Sequence, residues 1–343
     1  MGTMVKGRWV EEDRIIEDGG FKRRPSVFGT SLASDLASAI RTEAGRYHLI
    51  ASLSCPWSHC TIIARTLKGL EREVPLQIAG GPRVQGYPVN AGAAWTVPGS
   101  DHQIVHMHEL YSLSDPNYSG RSTVPVLWDS VRQEIVSNES AQILRLFDAV
   151  PPSSDGLDFT LVPPGLTEQI DALNQRLYGD LSNAVYRAGL AQRQDLYEEA
   201  VDQVFAMLDD LEARLVAQRF LFGPVLSESD LRLLPTLLRF DSVYHGHFRC
   251  SRRRLADYPN LWAYARDLYA WHGIAATTDF QVIREGYYLN DGAGNPFGIV
   301  AVAPDTDWSV AHGREELSPA FLFARDGKPF EVDPLTLQRR GKG

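Results

Sequence analysis

The apolar and polar positions set out a series of elements before any chemistry is considered. Tyr47-His-Leu-Ile-Ala-Ser-Leu53 is an apolar run of strand length, followed at once by Ser54-Cys55-Pro56. Proline suits the first turn of a helix, where its missing N–H has no partner to lose. Ile62, Ile63, Thr66, Leu67 and Leu70 then recur at helical spacing as far as Glu71. Residues 80–120 are rich in Gly, Pro, Asn and Ser and read as a long loop with little regular structure. Val124-Pro-Val-Leu-Trp128 and Glu134-Ile-Val136 flank a turn at Asp129-Ser130, the pattern of a β-hairpin. Asn138-Glu139-Ser140 opens a helix that carries Ile143, Leu144 and Phe147 on one face.

Strand, helix, long connection, hairpin, helix is the element order of the second half of a thioredoxin-like domain, here over residues 41–150. Residues 1–40 form a polar, irregular N-terminal extension with one short helix around Ser34 to Arg41. Val150-Pro-Pro-Ser-Ser-Asp-Gly156 is a linker by composition. From Thr167 to about Phe280 helical periodicity replaces strand alternation, so an all-helical C-terminal domain is expected over 165–290. One helix start there is sharply specified. In Leu226-Ser227-Glu228-Ser229-Asp230-Leu231, Ser227 can cap, Asp230 can reach back to its N–H, and Leu226 can pack on Leu231. That is a folding signal and not a site. The Gly-, Pro- and Asp-rich tail, 291–343, reads as chain that wraps the surface or stays partly disordered.

Composition narrows the function classes. The chain has 343 residues and a formal net charge of −9, which argues against nucleic acid as a main partner. Three cysteines, Cys55, Cys60 and Cys250, are too few for a disulfide framework and leave at least one free thiol. The first thirty residues lack the apolar core of a signal peptide, and no apolar run is long enough to cross a membrane. A cytoplasmic setting is the plain expectation.

The chemistry centres on Cys55. A thiol directly before Pro at a strand-to-helix junction sits at the positive end of a helix dipole, which favours its thiolate. Cys60 follows with four residues between, whereas a redox pair in this setting normally has two; a one-cysteine mechanism with Cys60 as helix packing is expected. With the dipole activating Cys55, His59 reads as structural. Val124-Pro125 is a second signal. A cis proline before the hairpin strand of a thioredoxin-like sheet leaves the preceding backbone to pair with a peptide-like thiol. Glu139-Ser140 is the third, since a helix start with a hydroxyl can hold a carboxylate while Glu139 pairs an ammonium. His102, His106 and His108 have no Cys or acidic partner at zinc-like spacing, so no metal is expected.

These residues carry a resemblance. Ala44 to Leu49, Ser52-Leu-Ser-Cys-Pro-Trp57 and Leu67-Lys-Gly-Leu-Glu71 resemble the glutathionyl-hydroquinone reductases, the Xi class of glutathione transferases. So do Val185-Tyr-Arg-Ala-Gly189, Asp230 to Asp241, His247 to Cys250, Asp257 to Trp262 and Tyr287-Tyr288. The resemblance implies that Cys55 is the nucleophile, that Trp95 stacks on glutathione and that Arg121 meets its glycyl carboxylate. Val124, ahead of Pro125, would pair with the cysteinyl backbone, and Glu139 with Ser140 would hold the γ-glutamyl end. Tyr186 and one of Tyr287 or Tyr288 would line the quinol pocket. It further implies glutathione as co-substrate, no permanently bound cofactor, glutathionyl-quinols as partners and a homodimer. The sequence departs from the family in carrying Cys60 where Arg usually follows the active-site His. An altered Gly80–His108 loop keeps a second reading open, a broader thiol transferase or dehydroascorbate reductase, possibly with another low-molecular-weight thiol.

Overall fold

The computed structural model describes residues 2–11, 15–29 and 32–340, which divide into two compact units. The first contains residues 2–11, 15–16, 23–29, 32–154 and 281–300; the second contains 17–22, 155–280 and 301–340. The parts of the N-terminal extension and tail at 1, 12–14, 30–31 and 341–343 lie outside the described residues.

The first unit begins with a hairpin of β1 (Thr3–Val5) and β2 (Arg8–Val10). Met4 is buried there, and its backbone exchanges hydrogen bonds of 2.7 and 3.0 Å with Gly120. The extension, expected to be irregular apart from one short helix around Ser34 to Arg41, therefore also holds a hairpin, docked through Met4 on a segment more than a hundred residues away. The two-residue strands β3 (Ile16–Glu17) and β4 (Gly20–Phe21) follow, then helix α1 (Leu36–Thr42).

The main sheet contains β5 (Tyr47–Ala51) and β6 (Leu76–Ile78), with α2 (Pro56–Leu67) between them. Strands β5 and β6 are parallel, as a helical crossover requires. Between β6 and the hairpin, the supposed loop of 80–120 holds β7 (Trp95–Thr96), β8 (Gln103–Ile104) and helix α3 (Met107–Ser114). That helix corrects the loop expectation. Its apolar Met107, Leu110 and Tyr111 are spaced for one buried face, and Glu109 accepts from the N–H groups of Val105 and His106 at 2.7 Å to fix its start. The expected hairpin is β9 (Val126–Asp129) with β10 (Glu134–Ser137), and the sheet order is β10-β9-β5-β6. Arg46, beside β5, reaches Asp129 of β9 with both arms, 2.9 and 2.6 Å. Burial raises the Asp129 carboxyl, but that ion pair and two backbone donors outweigh it and hold it below the usual range. Helix α4 (Ser140–Ala149) packs on α2, and a Lys68–Asp148 ion pair of 3.3 Å joins them.

The second unit is built on α5 (Thr167–Arg176), α6 (Ala184–Gly189), α7 (Gln194–Arg214), α8 (Glu228–Arg239) and α9 (Pro259–Tyr269). The capping box at Ser227 is present, as the sequence signalled. Asp230 Oδ2 accepts from the Ser227 N–H (2.8 Å) and hydroxyl (2.7 Å), and Oδ1 from the Leu221 N–H (3.0 Å) and Tyr264 hydroxyl (2.8 Å). Helix α10 (Phe280–Tyr288) follows, with Gln281 onward grouped with the first unit.

The tail is ordered structure and not a loose wrap. It forms an antiparallel sheet of β11 (Ala320–Phe323), β12 (Pro329–Asp333) and β13 (Gln338–Arg339). Residues 320–323 and 329–333 bury alternate positions, a period of two that the surrounding Gly and Pro obscure in the sequence. Arg314 anchors the tail: its guanidinium donates to the carbonyls of Arg219 and Leu215, at 3.1 and 3.0 Å, and to that of Gln218.

Candidate active site

Cys55 is the N-cap of α2, in an extended conformation (φ −86°, ψ 122°), with Pro56 at the first helical position and no side-chain cap. The chain reaches this point because β5 ends in the core and Pro56 starts a helix without needing a donor. The thiol is buried, and its Sγ lies 3.6 Å from the carbonyl oxygen of Val124. The Val124–Pro125 bond is cis, and β9 begins at the next residue. Thus the strand-to-helix turn and the turn into the hairpin meet at one sulfur.

The other predicted residues of the first unit are placed as follows. Glu139 is the N-cap of α4, accepting from the Ala141 N–H at 3.3 Å and the Ser26 hydroxyl at 3.0 Å; Ser140, at the first helical position, is buried. Arg121 follows the segment paired with β1 and accepts the Tyr118 hydroxyl on its carbonyl at 2.8 Å. Trp95 sits in β7 and packs, half-buried, on the apolar cluster that contains Cys55 and Val124. Tyr287 and Tyr288 end α10. Tyr288 is buried, which raises its phenol, while Tyr287 lies within electrostatic reach of Tyr87. Tyr186 belongs to the second unit, where its ring lies 5.2 Å from Phe248, 5.9 Å from Phe21 and 6.1 Å from Tyr244.

Cys60 is buried in α2 and its Sγ donates to the Trp57 carbonyl at 3.1 Å, while His59 is wholly buried. His106 caps α3, and His108 stacks on Trp9 at 4.9 Å between ring centres. Among the described residues, no group of three His, Cys, Asp or Glu side chains is placed to hold a metal ion.

Three residues that the sequence reading left out, Arg83, Tyr87 and Asn290, are linked to Ser54, which precedes Cys55. The Arg83 guanidinium lies 4.1 Å over the Tyr87 ring, and its Nη2 donates to the Ser54 hydroxyl at 3.0 Å. The Arg83 N–H donates to Asn290 Oδ1 at 2.7 Å. Burial pushes the Tyr87 phenol far above its ordinary range, with Cys55 and Tyr287 adding to the rise and Arg83 and Arg121 opposing it. A phenol so placed stays protonated at neutral pH and is a hydrogen-bond donor. One signal was available: Arg83 is the one Lys or Arg between Arg72 and Arg121.

Comparison with known proteins bears on the family and the fold that carry these residues. A family model for the N-terminal domain of glutathione S-transferases matches residues 54–150, and one for the C-terminal domain matches 194–267. Glutathionyl-hydroquinone reductase YqjG of Escherichia coli is 40% identical over 331 residues, covering 92% of this chain and 99% of that protein. The chain belongs to the Xi-class glutathione transferases, the glutathionyl-hydroquinone reductase family. Glutathionyl-hydroquinone reductase PcpF of Sphingobium chlorophenolicum is 38% identical, with 89% of this chain and 96% of that protein covered. The solved Xi-class structure from Natrialba magadii superposes with a TM-score of 0.81 at 37% identity, over 93% of this chain and 98% of its own. A glutathione-bound structure of YqjG superposes at 0.75 with 42% identity, covering 79% of this chain and 89% of its own. Thioredoxin-like and helical halves are therefore the architecture that this family shares. No helix among the described residues is long and apolar enough to cross a membrane.

Proposed function

We propose that the protein reduces glutathionyl-hydroquinones to hydroquinones with glutathione as the reductant. The observation that carries this is the Cys55 sulfur at an uncapped helix start, 3.6 Å from the carbonyl next to the cis Val124–Pro125 bond, in a family whose relatives bear that name. The Cys55 thiolate attacks the sulfur of the aryl thioether. An S–S bond forms as the C–S bond breaks, and the ring carbon takes up a proton to leave as hydroquinone. A second glutathione then attacks the mixed disulfide, giving glutathione disulfide and the Cys55 thiolate.

In this reading residues 41–150 bind the thiol half. Glu139 and Ser140 hold the γ-glutamyl end, Arg121 the glycyl carboxylate, the Val124 backbone (ahead of Pro125) the cysteinyl unit, and Trp95 adds a stacking surface. Tyr287, with Tyr186 from the helical domain of 165–290, polarises or protonates the departing ring; the electrostatic link between Tyr287 and the Cys55 neighbourhood favours it over Tyr288 for that task. No permanent cofactor is needed. A cytoplasmic homodimer is the assembly that fits this chemistry in its family.

Following hydroquinone release from glutathionyl-benzohydroquinone with excess glutathione, beside Cys55→Ala, tests the reading. Release by the wild type and none by the variant supports it. Faster turnover of glutathione-mixed disulfides than of the thioether would move it to the broader thiol-transferase reading.

A further inference from the structure

Arg83 contacts the residue before the nucleophile and has no acidic partner among the described residues. Its contacts are the Ser54 hydroxyl, one residue before Cys55, and the face of Tyr87. Loop arginines elsewhere in the chain behave otherwise: Arg193 pairs with Asp195, and Arg325 with Asp158 at 2.8 Å. Arg83 is held, moreover, from both ends. Its N–H is fixed by Asn290, whose own amide donates to the Gly286 carbonyl at 3.2 Å. Gly286 in turn lies so close to Ser54 that an added Cβ would fall 2.2 Å from the Ser54 Cβ. Three stretches of the first unit, around Ser54, Arg83 and Gly286 to Asn290, thus interlock and hold a guanidinium on the residue that precedes the nucleophile.

A half-buried guanidinium stacked on a ring and given one hydroxyl is only partly satisfied, since it has five N–H donors and a full charge. An anion completes it. Glu139, Ser140 and Arg121 already account for both ends of the thiol in the proposed function, while Tyr287, on the ring side, belongs to the same α10 segment that pins Arg83. We propose that Arg83 binds a carboxylate substituent on the hydroquinone ring, so that the enzyme selects carboxylated aryl thioethers over neutral ones. Planar two-point pairing of guanidinium with carboxylate supplies the selectivity, and the protonated Tyr87 phenol is placed to donate to the same group.

This inference rests on the reductase reading, and the experiment separates the two. Reductase kcat/KM is measured for glutathionyl-benzohydroquinone and for the same ring bearing a carboxylate, with wild type, Arg83→Lys and Arg83→Met. The wild type should favour the carboxylated substrate, and Arg83→Met should cut that preference by about 10- to 100-fold. Arg83→Lys should keep part of it, because charge remains without the planar fork. Equal losses on both substrates would overturn the assignment and make Arg83 a support for the Cys55 turn. A raised KM for the resolving glutathione, with both rings affected alike, would also overturn it and place the carboxylate on the thiol half. Failure of the wild type on both substrates would instead sink the reductase reading itself.

Discussion

Two helix starts in this chain solve the same physical problem in opposite ways. Both α2 and α8 begin with donors that their own helix cannot satisfy. At α8, Asp230 takes the Ser227 N–H among four hydrogen bonds to one buried carboxylate, and the Leu161 carbonyl takes the Glu228 N–H. At α2, no side chain caps the end, and a sulfur stands where Ser or Asp would be the stabilising choice. The first arrangement ties the start of α8 to Leu221 and to Tyr264 of α9. The second gives up capping energy and leaves the positive end of the dipole to a thiol. Two helix starts that both leave an extended N-cap residue can therefore be told apart by what is allowed to satisfy them.

The largest way to break the comparison is Cys55→Ser. Hydroquinone release should fall by at least about 1,000-fold, because a serine hydroxyl at neutral pH is a poor nucleophile toward sulfur. Thiol labelling sharpens it next. Cys250 is as buried as a residue can be, and burial pushes its thiol up to about 12. Iodoacetamide at pH 7 should modify Cys55 at least about 100-fold faster than Cys250 in the folded protein, read by peptide mass. Equal rates would mean that the helix start confers nothing. Asp230→Ala strands the Leu221 and Ser227 N–H groups and the Tyr264 hydroxyl, and should cost about 3 kcal/mol or more in urea unfolding. Turnover per folded molecule should hold. The smallest effect is the most telling: Cys55→Ser, dead as an enzyme, should gain about 0.5–1 kcal/mol of stability from a better cap.

Legibility in the sequence followed the range of the interactions. Strand β5, the Cys55–Pro56 step, the β9–β10 hairpin and the Ser227 box are local patterns, readable within a dozen residues. Helix α3 was hidden because its eight residues lie in Gly- and Pro-rich chain, and its start is fixed by Glu109 reaching back to His106. Arg83 was missed for a different reason. Its partners Ser54, Tyr87 and Asn290 are scattered along the chain, so only folding makes them neighbours. The β1 hairpin and the tail sheet are local pairings, but their strands are short, and each is docked by single bridges to distant chain at Gly120, Thr160 and Val225.

The tail also bears on the order in which the molecule is made. Phe321 bonds Pro224 and Leu226, and Thr160 bonds Phe323, with N···O distances of 2.9, 3.1 and 2.8 Å. The stretch just before α8 is thus completed by residues synthesised about a hundred positions later. Each unit must wait during translation for chain made late: the first for residues 281–300, the second for the strands that end at residue 339. A chain cut before Phe321 would leave the Pro224 carbonyl and the Leu226 and Thr160 N–H groups without these partners, so the last strands to be made complete the unit whose main run begins at residue 155.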